Sequence, residues 1–280
     1  MLNKKLCFLG CESGYEPARF VLFGAPFDGT TTYRPGARFA SRRMREESYG
    51  IETYSPYLDK DLEDIKVFDA GDLDLPFGSA EKVLNIIEDF VRKILSDDKI
   101  PVMIGGEHLV TLPAVKAASQ KYNGLYVIHF DAHADLRDEY IGEKLSHSTV
   151  MRRVCEILGP KKIFQYGIRS GEKSEFEYAK QNTYMTKFVI KDLDQAAKII
   201  GDKPVYITVD LDCIDPSEFS ATGTPEAGGV SFEELRQAIQ KLGELNVVGC
   251  DITELCPPYD TTGVSTALAC KFLRELLLSI

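Results

Sequence analysis

The sequence predicts an α/β fold built on a parallel sheet, and three observations carry that prediction. Short apolar runs recur along the chain, helical patterns sit between most of them, and turn residues punctuate the joins. With 280 residues, of which 44% are hydrophobic, the chain can bury a sizeable core. It contains no linker-like Gly/Ser/Pro stretch, no low-complexity tract and no repeat at a fixed period, so one domain covering residues 1–280 is expected. Eight β–α units suit a closed barrel and an open doubly wound sheet equally. Pattern alone does not choose between them.

In chain order, residues 19–25 read as a first strand because six apolar or small residues follow Arg19 without a break. Gly24 to Thr31 then resembles a phosphate loop superficially, but no Lys precedes the hydroxyl residue, so nothing would reach a β- or γ-phosphate. Pro35-Gly36 marks a turn, and residues 40–48 form a basic helix candidate. Strands are expected over 65–70, 100–104, 125–130, 162–166, 186–190, 204–209 and 246–251, where apolar and β-branched residues cluster over strand-like lengths. Between them, helical spacing of apolar residues is clearest over 80–95, 111–122, 232–242 and 264–278.

Composition excludes some roles. A net charge of −10 disfavours binding to a phosphate backbone, and mildly favours a cationic small substrate. No apolar run approaches the ~20 residues of a membrane span. The basic start at Asn3-Lys4-Lys5 leads into an apolar run broken at Gly10 and Glu12, so no secretory signal is expected and a cytoplasmic location is. Seven scattered Cys read as reduced, mostly buried thiols, and Cys7 and Cys11 lack the further ligands a metal site needs.

Chemistry gathers where strands end. The run Asp131-Ala132-His133-Ala134-Asp135 follows an apolar strand, and alternate residues on extended chain point to one side. Carboxylate, imidazole and carboxylate on one side outline a divalent-metal site suited to Mn²⁺ or Fe²⁺ and tolerable for Zn²⁺. Alone, such a motif is as readily an acidic turn. However, Glu107-His108 follows the strand at 100–104, and Asp210-Leu211-Asp212 follows the strand at 204–209. In a parallel sheet these ends share an edge. All four His lie between 108 and 147, which fits a single centre. Four carboxylates (Asp131, Asp135, Asp210, Asp212) and two imidazoles (His108, His133) around one cation would bury excess negative charge, so two divalent ions are expected. Such a pair lowers the pKa of a shared water and yields a hydroxide nucleophile at neutral pH. His147 is a candidate general acid/base, with Asp135 at the same edge. Glu254, past the last strand, suits a cationic substrate group, and His129 inside its strand suits a role behind the ligands. The Gly-rich segment 222–229, which includes Thr224, reads as a wall or lid.

These residues together resemble the ureohydrolase family of arginases and agmatinases over nearly the whole chain. Gly24 to Asp28 with Arg34 to Arg38, Gly105 to His108, Asp131 to Asp135, Asp210 to Asp212 and Gly223 to Glu226 carry the likeness as ordered blocks. The resemblance implies a three-layer α/β/α sandwich around a mostly parallel eight-stranded sheet. It implies two Mn²⁺ per chain, one held by His108, Asp131, Asp135 and Asp210, the other by Asp131, His133, Asp210 and Asp212. It further implies His147 as proton shuttle, Glu254 as partner of the guanidinium, and a homo-oligomer, as trimer or hexamer. Arginases read the substrate α-carboxylate with an Asn and a Ser shortly after the DxHxD block; here that stretch reads Leu136-Arg137-Asp138-Glu139-Tyr140. The chain is therefore similar to the bacterial agmatinase branch, which implies agmatine hydrolysis to putrescine and urea; Thr224 is a further candidate substrate contact, and by their charge Asp138, Glu139 and Glu143 suit agmatine's terminal ammonium, or are simply solvated surface acids. Arg137 keeps arginine or guanidinobutyrate open as substrates, since it could neutralise a carboxylate. A single-zinc deacetylase on a related fold and an inactive metal-binding subunit are the more distant alternatives.

Overall fold

The computed structural model describes residues 6–280. In order, the elements are β1 (Phe20–Ala25), α1 (Ala40–Glu47), β2 (Tyr54–Ser55), β3 (Lys60–Asp61), β4 (Val67–Asp72), α2 (Ala80–Ser96), β5 (Ile100–Gly105), α3 (Thr111–Lys121) and β6 (Tyr126–Phe130). There follow α4 (Val150–Leu158), β7 (Ile163–Ile168), α5 (Lys173–Asn182), β8 (Thr183–Lys187), α6 (Leu193–Ile200), β9 (Val205–Asp210), α7 (Phe232–Leu242), β10 (Val247–Thr253) and α8 (Val264–Ser279). Strands β2 and β3 form a small antiparallel pair. The other eight form one parallel sheet in the order β4-β1-β5-β10-β9-β6-β7-β8.

The sheet is open, with β4 and β8 at its edges, which decides between the two architectures the pattern allowed. Successive side chains on each strand enter different cores, as a pleated strand requires. Phe20 and Leu22 of β1 pack with α1, α6, α7 and α8, whereas Val21 and Phe23 pack with α2, α3 and α4. The layers are therefore helix, sheet, helix. Burial on both faces explains why the strands read as continuous apolar runs and not as alternating ones.

Two expectations shift. The strand expected at 186–190 lies at Thr183–Lys187, because α5 runs straight into it and Phe188 turns out of the ladder with φ +68°. The β2–β3 pair was not foreseen, since two-residue strands carry no periodicity to read.

What positions the site is the return of the chain. Strands β5 and β6 follow one another in sequence, yet β10 and β9 lie between them in the sheet. Reversal of strand order at that place opens a crevice beyond the carboxyl ends of these four strands.

Candidate metal centre

Each of the four central strands delivers a functional side chain at its carboxyl end. His108 follows β5, Asp131, His133 and Asp135 follow β6, Asp210 and Asp212 follow β9, and Glu254 follows β10. The joins are tight. Gly106 hydrogen-bonds through its N–H to Ala25 O and through its carbonyl to the Glu254 N–H, and a Cβ there would lie 1.7 Å from Phe27 O. Only glycine lets β1, β5 and β10 close on one another there. Asp135 (φ +53°) and Glu254 (φ +65°) both hold left-handed backbone, which for a non-glycine residue is strained and recurs at functional positions.

The candidate ligands fall into two groups that share Asp131. In the deeper group, His108 Nδ1 lies 3.1 Å from Asp131 Oδ2, 3.0 Å from Asp135 Oδ2 and 3.5 Å from Asp210 Oδ2. In the more open group, His133 Nδ1 lies 3.5 Å from Asp131 Oδ1 and 3.0 Å from Asp212 Oδ2. Asp131 thus turns one oxygen to each group. Asp210 Oδ2 faces the deep group while its Oδ1 accepts the Asp212 N–H at 2.9 Å. His129 lies close enough to count as a ligand of the deep group, but its ring is already used. Gln165 Nε2 donates to its Nδ1, so Nε2–H donates to Asp131 Oδ2 at 2.8 Å, and it stands behind the ligand as expected.

The donors fit a cation. Thr208 Oγ1 donates to Asp251 Oδ1 at 2.6 Å and accepts from His108 Nε2 at 2.9 Å. That fixes the tautomer and leaves the His108 Nδ1 lone pair facing three carboxylates, buried and without a hydrogen-bond partner among the described residues. Lone pair against lone pair is repulsive unless a cation or a proton lies between. An N/O donor set with no sulfur suits Mn²⁺ or a similar divalent ion.

Ionisation in the metal-free chain says the same. Burial alone would lower His108 and His133, but the carboxylates of Asp131, Asp135 and Asp212 overcome it and hold both imidazoles well above their ordinary value. Burial, then the charge of Asp131, raises Asp135 to about 7. Burial with Asp212 and Asp131 raises Asp210 well above the carboxylate range. Burial opposes ionisation of Asp131 too, yet hydrogen bonds from three histidines hold it well below. These shifts share one cause, a buried cluster of carboxylates that favours added positive charge between them.

Beside the ligands lies a cavity of about 300 Å³, with Thr32, His133, Asp135, Arg137, Tyr140, His147, Glu172 and Thr224 among its walls. His147 donates its N–H to Thr30 Oγ1, and its Nε2 lies 3.1 Å from Thr32 Oγ1. Burial, with the His133 and His108 imidazoles nearby, pushes it down to about 4, so it is neutral at pH 7. Thr224 lines the cavity and its hydroxyl lies 3.4 Å from Asp212 Oδ2. Glu254 stands deeper than the cavity wall, accepting the His108 N–H at 2.8 Å, and burial with the neighbouring Glu107 raises it well above the carboxylate range. Asp138 departs from expectation. Its carboxylate faces Arg153 at 2.9 Å and Arg152 at 3.7 Å and takes no part in the cavity wall, because those two cations of α4 draw it away.

Sequence reasoning missed several supporting residues. Glu107, buried and raised to about 7 by burial, accepts from Thr30 N–H and from the hydroxyls of Thr30 and Thr31. It thereby holds the loop that carries His147's partners, and its position next to His108 was the available signal. Arg169, at the end of β7, donates to the carbonyls of Asp212, Cys213, Glu226 and Ala227. The strand-end rule that found the ligands would have found it.

A model described as "Arginase family" matches residues 18–279. An agmatinase of Bacillus cereus is 47% identical over 277 residues, covering 97% of this chain and 95% of its own. A guanidinobutyrase of Pseudomonas aeruginosa is 33% identical, covering 93% of this chain and 85% of its own. A crystal structure from Clostridium difficile, of a protein proposed to be an agmatinase, superposes with a TM-score of 0.93 at 54% identity, covering 95% of this chain and 98% of that one.

Proposed function

This chain belongs to the arginase family, and from that premise we propose that it is a binuclear metal amidinohydrolase that cleaves agmatine to putrescine and urea. The observation that carries the reading is Asp131, whose two oxygens face two separate His/Asp groups. His108, Asp131, Asp135 and Asp210 would hold one ion and Asp131, His133 and Asp212 the other, with Asp210 shared as the family resemblance implies. Manganese suits the donors. Bound there, a pair of divalent ions supplies Lewis acidity and a water that ionises near neutral pH.

The chain's own residues account for the rest. Glu254 is a buried carboxylate short of positive charge, and a guanidinium placed beside it restores its ionisation and fixes the carbon to be attacked. His147, neutral and held by Thr30 and Thr32, takes a proton and delivers it to the departing amine. Water adds to the guanidinium carbon, the bond to the alkyl nitrogen breaks, and urea and the protonated diamine leave. Thr224 lines the path and steadies Asp212. The whole chain acts as one catalytic domain in this reading, assembled as a trimer or hexamer in the cytoplasm. Among the described residues no helix is long and apolar enough to cross a membrane.

Urea release measured side by side with agmatine, arginine and 4-guanidinobutyrate tests the proposal, and agmatine should give the highest kcat/KM. Elemental analysis should find two ions per chain. A preference for arginine or guanidinobutyrate would overturn the substrate assignment, and one ion per chain would overturn the binuclear one.

A further inference from the structure

We propose that Glu172 sets substrate choice at the open end of the cavity, by masking Arg137 so that the site selects a guanidino substrate ending in an ammonium over one ending in a carboxylate. The inference rests on the amidinohydrolase reading above and names what reads the far end of the substrate.

The cavity is graded. Asp135 at the metal end is buried, whereas the Arg137 side chain is 27% exposed and that of Glu172 55%. Arg137 is the permanent cation among the lining residues. Left bare, its planar guanidinium would capture a carboxylate through two parallel hydrogen bonds. It is not bare. Its Nη1 lies 2.5 Å from Glu172 Oε1, its Nε lies 3.7 Å from Glu175 Oε2, and its Cζ sits 4.8 Å from the centre of the Tyr140 ring. The mask is itself held. Glu175 is buried and accepts the Leu136 N–H at 2.8 Å and the Glu172 N–H at 2.7 Å, which ties the start of α5 to the strand-end segment that bears Arg137.

With Glu172 and Glu175 both turned to it, the Arg137 guanidinium is covered and offers no free charge to a substrate carboxylate. The Glu172 Oε2 atom has Ser174 Oγ at 3.4 Å and belongs to a side chain 55% exposed, which leaves the carboxylate within reach of an incoming ammonium. Asp138 does not substitute, because Arg152 and Arg153 hold it away from the cavity. Agmatine and 4-guanidinobutyrate are nearly the same length and differ in the sign of the terminal charge. Discrimination between them is therefore an electrostatic task, and Glu172 with Arg137 is the pair that performs it.

The test compares the metal-loaded full chain with Glu172→Gln, which keeps size and removes charge, on agmatine and on 4-guanidinobutyrate. The variant should raise KM for agmatine with kcat nearly unchanged and raise kcat/KM for guanidinobutyrate, moving the ratio by about tenfold, as expected for a partly exposed charge pair. Glu172→Asp should restore the preference, and adding Arg137→Gln should abolish the guanidinobutyrate gain. Calorimetric binding of putrescine against 4-aminobutyrate reads the same mask without turnover. A ratio and a product preference that stay within about twofold, or both substrates falling alike in kcat, overturn the inference while leaving agmatine hydrolysis intact. A wild-type chain that prefers guanidinobutyrate overturns both. A wild type silent on agmatine that still gains 4-aminobutyrate binding in Glu172→Gln overturns the catalytic reading and supports the mask.

Discussion

The two halves of the metal centre are made of the same residue types but differ in how firmly they are held. In the deep half, His108 is buried, its ring is oriented by Thr208 and Asp251, and four side chains converge. In the open half the His133 side chain is 23% exposed, lines the cavity and shares its carboxylates with the backbone and with Thr224. One half is a socket and the other a working face. The difference follows from place in the crevice: the His108 ring is enclosed among the central strand ends, whereas His133 faces the cavity.

The largest expected effect comes where the halves meet. Asp131→Asn removes the negative charge that both halves share and replaces one of the two oxygens by an amide nitrogen, so both ions should be lost and urea release should fall by about 10⁴-fold or more. Elemental analysis beside the rate assay checks it. Retention of one ion with substantial turnover would show that the halves are independent and that Asp131 does not join them.

A second test concerns proton work on the open side. His147 touches no ligand, and burial together with its imidazole neighbours holds it near 4. His147→Asn should lower kcat by about 10²–10³-fold with metal content unchanged. Loss of an ion in that variant would move His147 from proton transfer to metal binding and redraw the boundary between the halves.

These contrasts show how far sequence reasoning reached. The convergence of the candidate ligands was legible because each lies where an apolar strand stops, and a parallel sheet forces such ends onto one edge. His147 stood out because histidine is scarce in the chain and clustered. By contrast, Thr208 and Asp251 read as ordinary strand residues, since side chains that meet across β9 and β10 carry no local pattern. Asp138 misled for the opposite reason. An acidic residue beside the site looks like a substrate contact until the two arginines of the following helix, fourteen and fifteen residues on, claim it. Barrel or open sheet could not be read from β–α alternation, because the order of strands is set by long-range pairing.

The halves should also separate with pH. At neutral pH the metal-free centre holds protons on His108 and His133, and Asp135, at about 7, is half protonated. Binding an ion must displace them, so affinity is lower at acid pH and rises as these groups lose their protons. Below pH 7 the fall should be at least about tenfold per pH unit for the deep half, where Asp135 and His108 both contribute. Calorimetric titration of the metal-free chain between pH 6 and 8 reads the slope. A pH-independent affinity would mean the protons sit elsewhere.

The smallest effect discriminates most finely. Thr208→Val keeps the volume of the side chain but removes the hydroxyl that accepts from His108 Nε2 and donates to Asp251. The His108 ring then loses its fixed tautomer, and Asp251, whose pKa burial already raises, loses one of its hydroxyl donors while Tyr206 still donates to it at 2.8 Å. Removing a partner behind a metal-bound imidazole weakens binding by about 10–100-fold. Because nothing in that chain of hydrogen bonds reaches His133 or Asp212, the loss should fall on one ion, and Thr208→Ser should recover it. A two-site binding isotherm resolves the pair: equal weakening at both sites would mean that the socket and the working face are one mechanical unit, held by Asp131 more strongly than by their separate supports.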